Sequence, residues 1–182
     1  MQLDAEQLVA TLATKIGTLS DDTAVVGIHS GGVWVAERLH RMLKVVPPLG
    51  KLAVTLHRDD FGRIGLHPQK KATDMPIDID GCNILLVDDV LHTGRTLRAA
   101  LNELFDFGRP ASVKLAVLVD RGLRELPFAA DYIGAVMALD ANQELVLTND
   151  NDHLRFDVQT RPAMEKNRPQ VPAHTHPHAK PQ

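Results

Sequence analysis

The chain has 182 residues, with 20 Lys and Arg against 23 Asp and Glu, which gives a formal net charge of −3. Its 44% apolar and 24% charged residues are typical of a globular protein with one domain and a substantial core. The charge balance excludes general binding to polyanions, the single Cys82 excludes a disulfide framework, and no stretch reaches the roughly 18 apolar residues of a membrane span. Asp4 and Glu6 stand where a signal peptide would carry basic residues, so we expect a cytoplasmic protein.

The charge is divided unevenly along the chain, and the division indicates where the domain ends. Residues 161–182 carry a net charge of +3 and five prolines but almost no large apolar side chains, whereas residues 1–160 carry −6. A segment of that kind cannot bury enough apolar surface to offset the entropy that is lost on ordering. We therefore predict a folded domain over residues 1–160 and a disordered tail rich in proline and histidine over residues 161–182.

The first eighty residues alternate between helical and extended patterns. Leu8, Leu12 and Ile16 are spaced by four, which places them on one face of an amphipathic helix. A short apolar strand then ends in the turn His29-Ser30-Gly31-Gly32, and Pro47-Pro48 breaks the chain before the next strand. The predicted elements are a helix over 5–16, a strand over 24–28, a helix over 33–43, a strand over 51–57 and a long loop over 59–75.

The second half begins with four aliphatic residues, 84–87, that fit a strand buried on both faces. The helix after it ends near Gly108 and Pro110, which are typical of a helix stop. The alternation of strands and helices predicts an α/β fold with an open, mainly parallel twisted sheet and helices on both faces, in which ligands bind beyond the carboxyl ends of the strands. The elements predicted here are a strand over 83–87, a helix from residue 96, and strands over 113–119, 132–139, 144–147 and 153–158.

The strongest functional signal follows the apolar run. The strand leads into two adjacent carboxylates, Asp88 and Asp89, and then into a turn with threonine and glycine that opens a helix. Neighbouring side chains of a strand point to opposite faces, so the pair serves one ligand only if the chain bends at the end of the strand. Carboxylates accept hydrogen bonds from vicinal sugar hydroxyls or bind them through a divalent cation, and the amides of residues 92–96 at a helix N-terminus suit a phosphate.

A simpler interpretation is that Asp89 or Thr93 caps the helix while Asp88 is solvated. A cap does not require two carboxylates, two threonines and Gly94 in this order. The turn also lacks the Gly-Lys-Ser/Thr of a Walker loop and the three spaced glycines of a dinucleotide site. We therefore favour a site for a ribose 5-phosphate.

Several segments resemble a known family. The run 84–96 resembles the phosphoribosyl pyrophosphate (PRPP) signature of type I phosphoribosyltransferases. Segments 57–60, 116–122 and 130–134 resemble the PyrR-type bifunctional pyrimidine operon regulators and uracil phosphoribosyltransferases, and the likeness extends over about residues 25–158. The resemblance implies the type I phosphoribosyltransferase fold with a small hood, a Mg²⁺ cofactor and assembly into a homo-oligomer.

The resemblance also implies roles for individual residues. Catalytic roles fall to Asp88, Asp89 and Arg58, and the two carboxylates would hold the ribose hydroxyls and, through the substrate, Mg²⁺. Many family members carry an arginine in the pyrophosphate loop and this chain has none, so Arg58 and Mg²⁺ are expected to take its place. The other implied residues are the PRPP-binding Val90, Leu91, His92, Thr93, Gly94, Arg95 and Thr96, the pyrophosphate loop Ser30, Gly31 and Gly32, the base-binding Asp120, Arg121, Tyr132 and Ile133, and the flexible-loop Arg63, Lys70 and Lys71.

The implied activity is the Mg²⁺-dependent transfer of phosphoribosyl from PRPP to uracil, which gives UMP and pyrophosphate. The run 84–96 contacts only the sugar phosphate, so a phosphoribosyltransferase for another base stays an alternative. The other alternative is an RNA-binding attenuator of pyrimidine biosynthesis genes, which requires a basic face for the phosphate backbone. Residues 1–24 carry a net charge of −3 and residues 131–158 carry −5, so the charge disfavours RNA, and we expect no membrane partner.

Overall fold

Helices and strands alternate along residues 3–54 and 72–160, the part of the chain that the computed structural model describes. The helices are α1 (Ala5–Ile16), α2 (Gly31–Met42) and α3 (Arg95–Asp106). The strands are β1 (Thr23–Ile28), β2 (Gly50–Leu52), β3 (Asn83–Leu91), β4 (Ser112–Asp120), β5 (Tyr132–Val136), β6 (Gln143–Asp150) and β7 (His153–Thr160). This order of elements confirms the predicted one, and α1 has the predicted bounds.

Five strands form a parallel sheet in the order β2-β1-β3-β4-β5. From β1 the chain crosses through α2 to β2, toward one edge, whereas from β3 it crosses through α3 to β4, toward the other. The direction of the crossovers therefore changes between β1 and β3. The carboxyl ends of these two strands form the topological switch point, where open α/β sheets bind their ligands.

Each face of the sheet is covered by helices, which confirms the predicted layers. Leu85 on β3 packs with α1 and α2, whereas its neighbour Leu86 packs with α3. Both side chains are almost fully buried, and burying a leucine stabilises a fold by roughly 2 kcal/mol. Because residues 84–87 are buried on both faces, the central strand is fixed in the core, and the residues that follow it are held in place at the edge of the sheet.

Strands β6 and β7 form a separate antiparallel hairpin on the face that carries α1 and α2. Asn151 and Asp152 connect them in the left-handed region, with φ of 51° and 62°, as a two-residue hairpin turn requires. The buried guanidinium of Arg38 on α2 donates to the Asp152 carbonyl at 2.7 Å and to the Glu6 carboxylate at 3.1 Å. Glu6 also accepts a hydrogen bond from the Leu154 amide at 2.9 Å, so one ionic cluster joins α1, α2 and the hairpin.

Some predicted boundaries are wrong, and two of them concern the edge of the sheet. β3 continues past residue 87 to Leu91, so the two carboxylates lie inside a strand rather than after it. The helix predicted over 33–43 begins at Gly31, which places both glycines in its first turn. β5 ends at Val136 before the predicted residue 139, and β2 ends at Leu52.

Other predictions concern segments that lie outside the described residues. They are residues 55–71, which hold most of the predicted long loop, and the predicted tail over 161–182. Over residues 3–54 and 72–160, no helix has the length and apolar character that crossing a bilayer would need.

Candidate active site

Two connections of the same kind meet at the switch point. We call residues 30–32, where the chain from β1 enters the first turn of α2, the pyrophosphate turn, and residues 90–96, which run from the end of β3 into the start of α3, the phosphate turn. The ladder between β1 and β3 ends with Gly27 opposite Val87, so the last four residues of β3 extend beyond this ladder. Asp88 and Asp89, the acid pair, therefore stand beside the pyrophosphate turn and immediately before the phosphate turn.

The acid pair interrupts the alternation of β3. Up to Val87 the odd-numbered side chains face α1 and α2, but beyond the pair Val90 packs on that face and Leu91 on the α3 face. The order is thus reversed across Asp88 and Asp89, although the ladder with β4 continues to Leu91. The Asp89 amide donates to Asp88 Oδ1 at 3.0 Å. The irregularity brings both carboxyls to one place, which regular alternation would prevent.

Burial changes the titration of the acid pair. Burial raises the pKa of Asp88 well above its usual range, and the charge and hydrogen bond of Asp89 raise it further. Burial also raises the pKa of Asp89, although hydrogen bonds from Asp88 and the main chain oppose the rise. Two carboxylates this close repel each other, so without a cation the pair retains a proton more readily than separate carboxyls do. A cation or a hydroxyl donor at this position would favour the ionised form.

The pyrophosphate turn packs directly on the acid pair. A Cβ added to Gly31 would overlap the Asp89 carboxylate. A Cβ added to Gly32 would lie 2.5 Å from the Val87 carbonyl oxygen and 2.9 Å from Asp88 Cα. Only glycine permits this close approach, which sets the N-terminus of α2 against the two carboxyls. Ser30 is the N-cap residue of α2 and makes no side-chain capping hydrogen bond.

The phosphate turn leads into α3 through Gly94 rather than through a polar cap. Gly94 is the N-cap residue with φ of 90°, which favours glycine, and a Cβ there would lie 2.9 Å from the Phe128 ring. Thr93 Oγ1 accepts a hydrogen bond from the Arg95 amide at 3.3 Å. Neither Asp89 nor Thr93 occupies the cap position, so the simpler interpretation of the acid pair as part of a cap is wrong.

The loop over residues 121–128 covers the phosphate turn. The amides of Glu125 and Leu126 both donate to the Thr93 carbonyl at 3.0 Å. Arg124 donates to the His92 carbonyl at 2.8 Å and to the Asp120 carboxylate at 2.6 Å. Sequence reasoning gave Arg124 no role, and the only local signal was its opposite charge four residues after Asp120.

The predicted base-binding residues divide into two groups. Asp120 ends β4, where its carboxylate accepts hydrogen bonds from the Gly122 amide at 2.8 Å and from Arg124. The buried side chain of Arg121 donates to the Gln143 carbonyl at 2.9 Å. Both side chains therefore form hydrogen bonds with other residues of the protein, at the edge of the sheet.

Tyr132 and Ile133 form the second group, on β5. The register places Ile133 level with Asp88, two strands away across β4. Tyr132 packs on the face of the sheet that Val90 joins, whereas Ile133 packs on the α3 face. The Ile133 carbonyl accepts a hydrogen bond from Lys15 Nζ at 2.7 Å. Contact of these residues with a base stays a prediction. Of the two, Tyr132 lies on the same face of the sheet as the pyrophosphate turn.

The segment 55–71 leaves and rejoins the described chain beside the site. Lys51 and Asp74 exchange two main-chain hydrogen bonds of 2.7 and 2.8 Å, and Thr73 Oγ1 accepts one from the Ala53 amide at 3.0 Å. These contacts hold the described residues on either side of the segment at the carboxyl end of β2, next to β1. The predicted residues that lie outside the described part are Arg58, Arg63, Lys70 and Lys71.

The described residues offer a cation only part of a coordination shell. Within residues 3–54 and 72–160, no group of three or more His, Cys, Asp or Glu side chains is arranged to hold a metal ion. The acid pair supplies two adjacent carboxyls, which suit a hard divalent cation such as Mg²⁺. Such a cation would take its remaining ligands from water or from the oxygens of a bound substrate.

Comparison with known proteins agrees with this arrangement. The family model of the phosphoribosyl transferase domain matches residues 2–143. The chain is 53% identical to the bifunctional protein PyrR of Ralstonia nicotianae, over 83% of this chain and 89% of that one, and 54% identical to that of Nitrosococcus oceani, over 87% and 93%. A hypoxanthine-guanine phosphoribosyltransferase structure from Bacillus anthracis shares the fold, with a TM-score of 0.60 and 23% identity over 75% of this chain and 83% of that one. The chain therefore belongs to the phosphoribosyltransferase family and, within it, to the bifunctional PyrR proteins.

Proposed function

We propose that this phosphoribosyltransferase transfers the phosphoribosyl group of PRPP to uracil. The observation that carries the proposal is the contact between the pyrophosphate turn and the acid pair, at the end of the strand that leads into the phosphate turn. PRPP carries a pyrophosphate, two ribose hydroxyls and a 5-phosphate. One PRPP molecule therefore has a group for the pyrophosphate turn, a group for the acid pair and a group for the phosphate turn. Uracil is the acceptor because segments 57–60, 116–122 and 130–134 resemble those of the PyrR family.

Each part of PRPP has an assigned partner. The amides at the start of α3 receive the 5-phosphate, with the hydroxyls of Thr93 and Thr96 as further donors. Asp88 and Asp89 accept hydrogen bonds from the ribose hydroxyls. The amides at the start of α2 receive the pyrophosphate, which Gly31 and Gly32 bring next to the acid pair.

The reaction breaks the bond between ribose C1 and a pyrophosphate oxygen and forms a bond from C1 to a ring nitrogen of uracil, which loses its proton to the leaving pyrophosphate or to solvent. Positive charge develops on the ribose ring as pyrophosphate leaves, so the protein accelerates the reaction by positioning and by electrostatic stabilisation. The acid pair, in which Asp88 is buried and Asp89 is half-buried, places negative charge beside the ring, and both turns hold the substrate anions with fixed main-chain dipoles. No protein nucleophile is required.

Mg²⁺ fits the acid pair, and Asp88 and Asp89 are the residues that would hold it, together with substrate oxygens. When bound, it supplies positive charge against the pyrophosphate. The pyrophosphate turn has no cationic side chain of its own, which makes that charge necessary. Arg58 and the basic residues of segment 55–71 are proposed to add to it.

The test is a product assay on the full chain with PRPP, Mg²⁺ and one base at a time, namely uracil, hypoxanthine, guanine or orotate. We expect UMP and pyrophosphate in equal amounts with uracil, and a large loss of both in an Asp88→Asn, Asp89→Asn variant. An Asp150→Asn, Asp157→Asn variant, which changes two exposed carboxylates of the hairpin, is the matched control and should retain activity. Absence of product above background, or full activity without the acid pair, would exclude the proposal. If another base is preferred, the proposed phosphoribosyl transfer stands, but uracil is not the acceptor.

RNA-dependent regulation is the second candidate function, because the relatives carry the name bifunctional. The two acidic segments of the chain lie together, since Arg38 joins Glu6 on α1 to Asp152 in the hairpin. RNA phosphates would be repelled by this face, so any RNA site is expected elsewhere on the protein. Filter binding of a pyrimidine-operon leader transcript over a salt series, with and without UMP, tests this role against a scrambled RNA. Homo-oligomeric assembly and a cytoplasmic location stay predictions.

A further inference from the structure

Arg124 lies between the two loops that leave the carboxyl ends of β3 and β4. Its guanidinium makes five hydrogen bonds, four to carbonyl oxygens and one to a carboxylate. Two of the carbonyls belong to residues 91 and 92, at the phosphate turn, and the other partners belong to residues 120–128. The acceptors are the carbonyls of Leu91 (3.5 Å), His92 (2.8 Å), Gly122 (3.1 Å) and Phe128 (3.0 Å), and the carboxylate of Asp120 (2.6 Å).

The chemistry of this position requires arginine. The Arg124 side chain is 22% exposed and that of Asp120 is 14% exposed, so water competes weakly for these hydrogen bonds. Burial alone would raise the pKa of Asp120, but hydrogen bonds from Arg124 and the Gly122 amide and the charge of Arg124 outweigh it, and the pKa lies below its usual value. A guanidinium offers five donors in a fixed plane, whereas a lysine ammonium offers three from one point. A lysine at residue 124 would keep the charge and lose most of the acceptors.

Other contacts make the two loops one unit. The Thr93 carbonyl accepts the amides of Glu125 and Leu126, and Gly94 packs against the Phe128 ring. Arg95 and Glu125 also form an ion pair of 2.6 Å, but both side chains are at least half exposed, and such pairs contribute little. The half-buried guanidinium of Arg124 is thus the charge at the centre of this unit.

We propose that Arg124 is a positioning residue that couples the phosphate turn to the loop 121–128. This inference rests on the proposed function, because it concerns a nucleotide whose 5-phosphate lies on the first segment and whose base lies near the second. Arg124 touches neither end of the nucleotide. It fixes the position of the phosphate turn relative to the loop 121–128, so that one bound nucleotide contacts both.

Ligand titration separates coupling from a general loss of folded protein. UMP contacts both segments, whereas pyrophosphate with Mg²⁺ is assigned to the turn after β1, which Arg124 does not touch. In an Arg124→Lys variant we expect UMP affinity to fall about tenfold or more, since several hydrogen bonds to a charged group are lost. Pyrophosphate affinity should stay within about twofold of the wild type. Arg155→Lys, at an exposed arginine of the hairpin, is the matched control for both ligands.

Two results of the titration would overturn the coupling. One is unchanged UMP affinity in the Arg124→Lys variant. The other is an equal fall for UMP and pyrophosphate, which indicates that the folded fraction has decreased and that no specific relation between the segments was lost.

Hydrogen exchange tests the same inference without any ligand. In Arg124→Lys, amides of segments 91–96 and 121–128 should both exchange about tenfold faster, while those of α2 keep the wild-type rate. If Arg124→Lys fails to fold, Asp120→Asn, which removes one acceptor, should accelerate both segments by a smaller factor. Faster exchange confined to 121–128 contradicts the coupling. If the wild type binds no UMP but the Arg124→Lys variant still exchanges faster in both segments, the proposed function is overturned and the coupling stays intact.

Discussion

The pyrophosphate turn and the phosphate turn have the same architecture, since each connects a parallel strand to the N-terminus of a helix. Their surroundings differ. The pyrophosphate turn packs closely on the two carboxyls of the acid pair through its two glycines, and it has no cationic side chain. The phosphate turn carries threonine hydroxyls, and Arg124 joins it to the loop that leaves β4.

The difference indicates how one small acidic domain can bind a substrate with several negative charges. At the phosphate turn, main-chain dipoles and hydroxyls are fixed in advance by neighbouring loops. At the pyrophosphate turn the nearest side chains are themselves acidic, so the compensating charge has to arrive with the substrate. In the proposed mechanism, the phosphate turn is thus built by the protein alone, whereas the site at the pyrophosphate turn is completed by a cation.

The largest expected effect is therefore that of removing Mg²⁺. Chelation should weaken pyrophosphate binding roughly a thousandfold, because a cation at such a place contributes several kcal/mol. UMP, whose phosphate lies on the other turn, should bind within about threefold of its Mg²⁺-containing value. Calorimetric titration of both ligands, with and without chelator, measures the contrast. Equal weakening of the two ligands would show that the turns do not differ in this way.

Substitution of Gly31 by alanine comes next. The added Cβ overlaps the Asp89 carboxylate, so α2 and the acid pair must separate, and we expect kcat/KM for PRPP to fall about a hundredfold. Gly17→Ala is the control, because nothing stands within 4 Å of the Cβ added to Gly17, so its only penalty is the positive φ of 68°. That variant should lose about 1 kcal/mol of stability and keep its kcat/KM. Similar kinetics in the two variants would mean that the close approach at Gly31 has no role.

Substitution of Gly94 should act on the opposite turn. Alanine there is strained at φ of 90° and meets the Phe128 ring, which we expect to weaken UMP binding roughly thirtyfold. Pyrophosphate binding should be unaffected, whereas Gly31→Ala should weaken pyrophosphate binding and leave UMP binding unchanged. Titration of UMP and pyrophosphate into both variants gives four affinities. If each variant does not weaken mainly the ligand assigned to its own turn, the assignment of the two ligands to the two turns is contradicted.

The pH dependence of cation binding should be smaller and have a defined sign. The pKa values of the acid pair are raised, mainly by burial, so the free pair holds a proton up to a higher pH than separate carboxyls do, and Mg²⁺ must displace that proton there. Affinity for Mg²⁺ with pyrophosphate should therefore rise with pH, by at most about tenfold per unit for one proton, until the pair is fully ionised. Titrations in buffers of different ionisation enthalpy would reveal the released proton. Affinity that falls with rising pH would contradict this account of the pair.

The smallest effect concerns Asp120, on the side of the phosphate turn. Its pKa is lowered, so its ionised form stabilises the fold above the unfolded-state pKa of about 3.9, and that contribution is lost as pH falls through the lower native value. Asp120→Asn should reduce the free energy of unfolding by about 1 kcal/mol at neutral pH. Urea unfolding of both proteins over a pH series should show the difference vanish in acid. A difference that persists at low pH would point to packing instead of charge.

The sequence predicted the elements better than the geometry of the site. The spacing of Leu8, Leu12 and Ile16 is enough to define α1, and four aliphatic residues define the centre of β3. The reversal of side-chain order across Asp88 and Asp89 could not be predicted, because it depends on packing against both covered faces.

Two further features were hidden for physical reasons. The role of Arg124 was missed because four of its five partners are main-chain carbonyls, which every residue carries. Gly31 and Gly32 were predicted as a turn, but their need to be glycine arises from a strand more than fifty residues away. Contacts between distant segments set both features, and a local pattern does not encode them.

The most direct test of the central claim is a crystal structure of the full chain with Mg²⁺ and PRPP. We expect the 5-phosphate on the amides of the phosphate turn, the ribose hydroxyls within hydrogen-bonding distance of Asp88 and Asp89, and the pyrophosphate on the amides of residues 30–32. Mg²⁺ should lie between the acid pair and the pyrophosphate. Density for PRPP elsewhere, or a pyrophosphate held away from the pyrophosphate turn, would contradict the account.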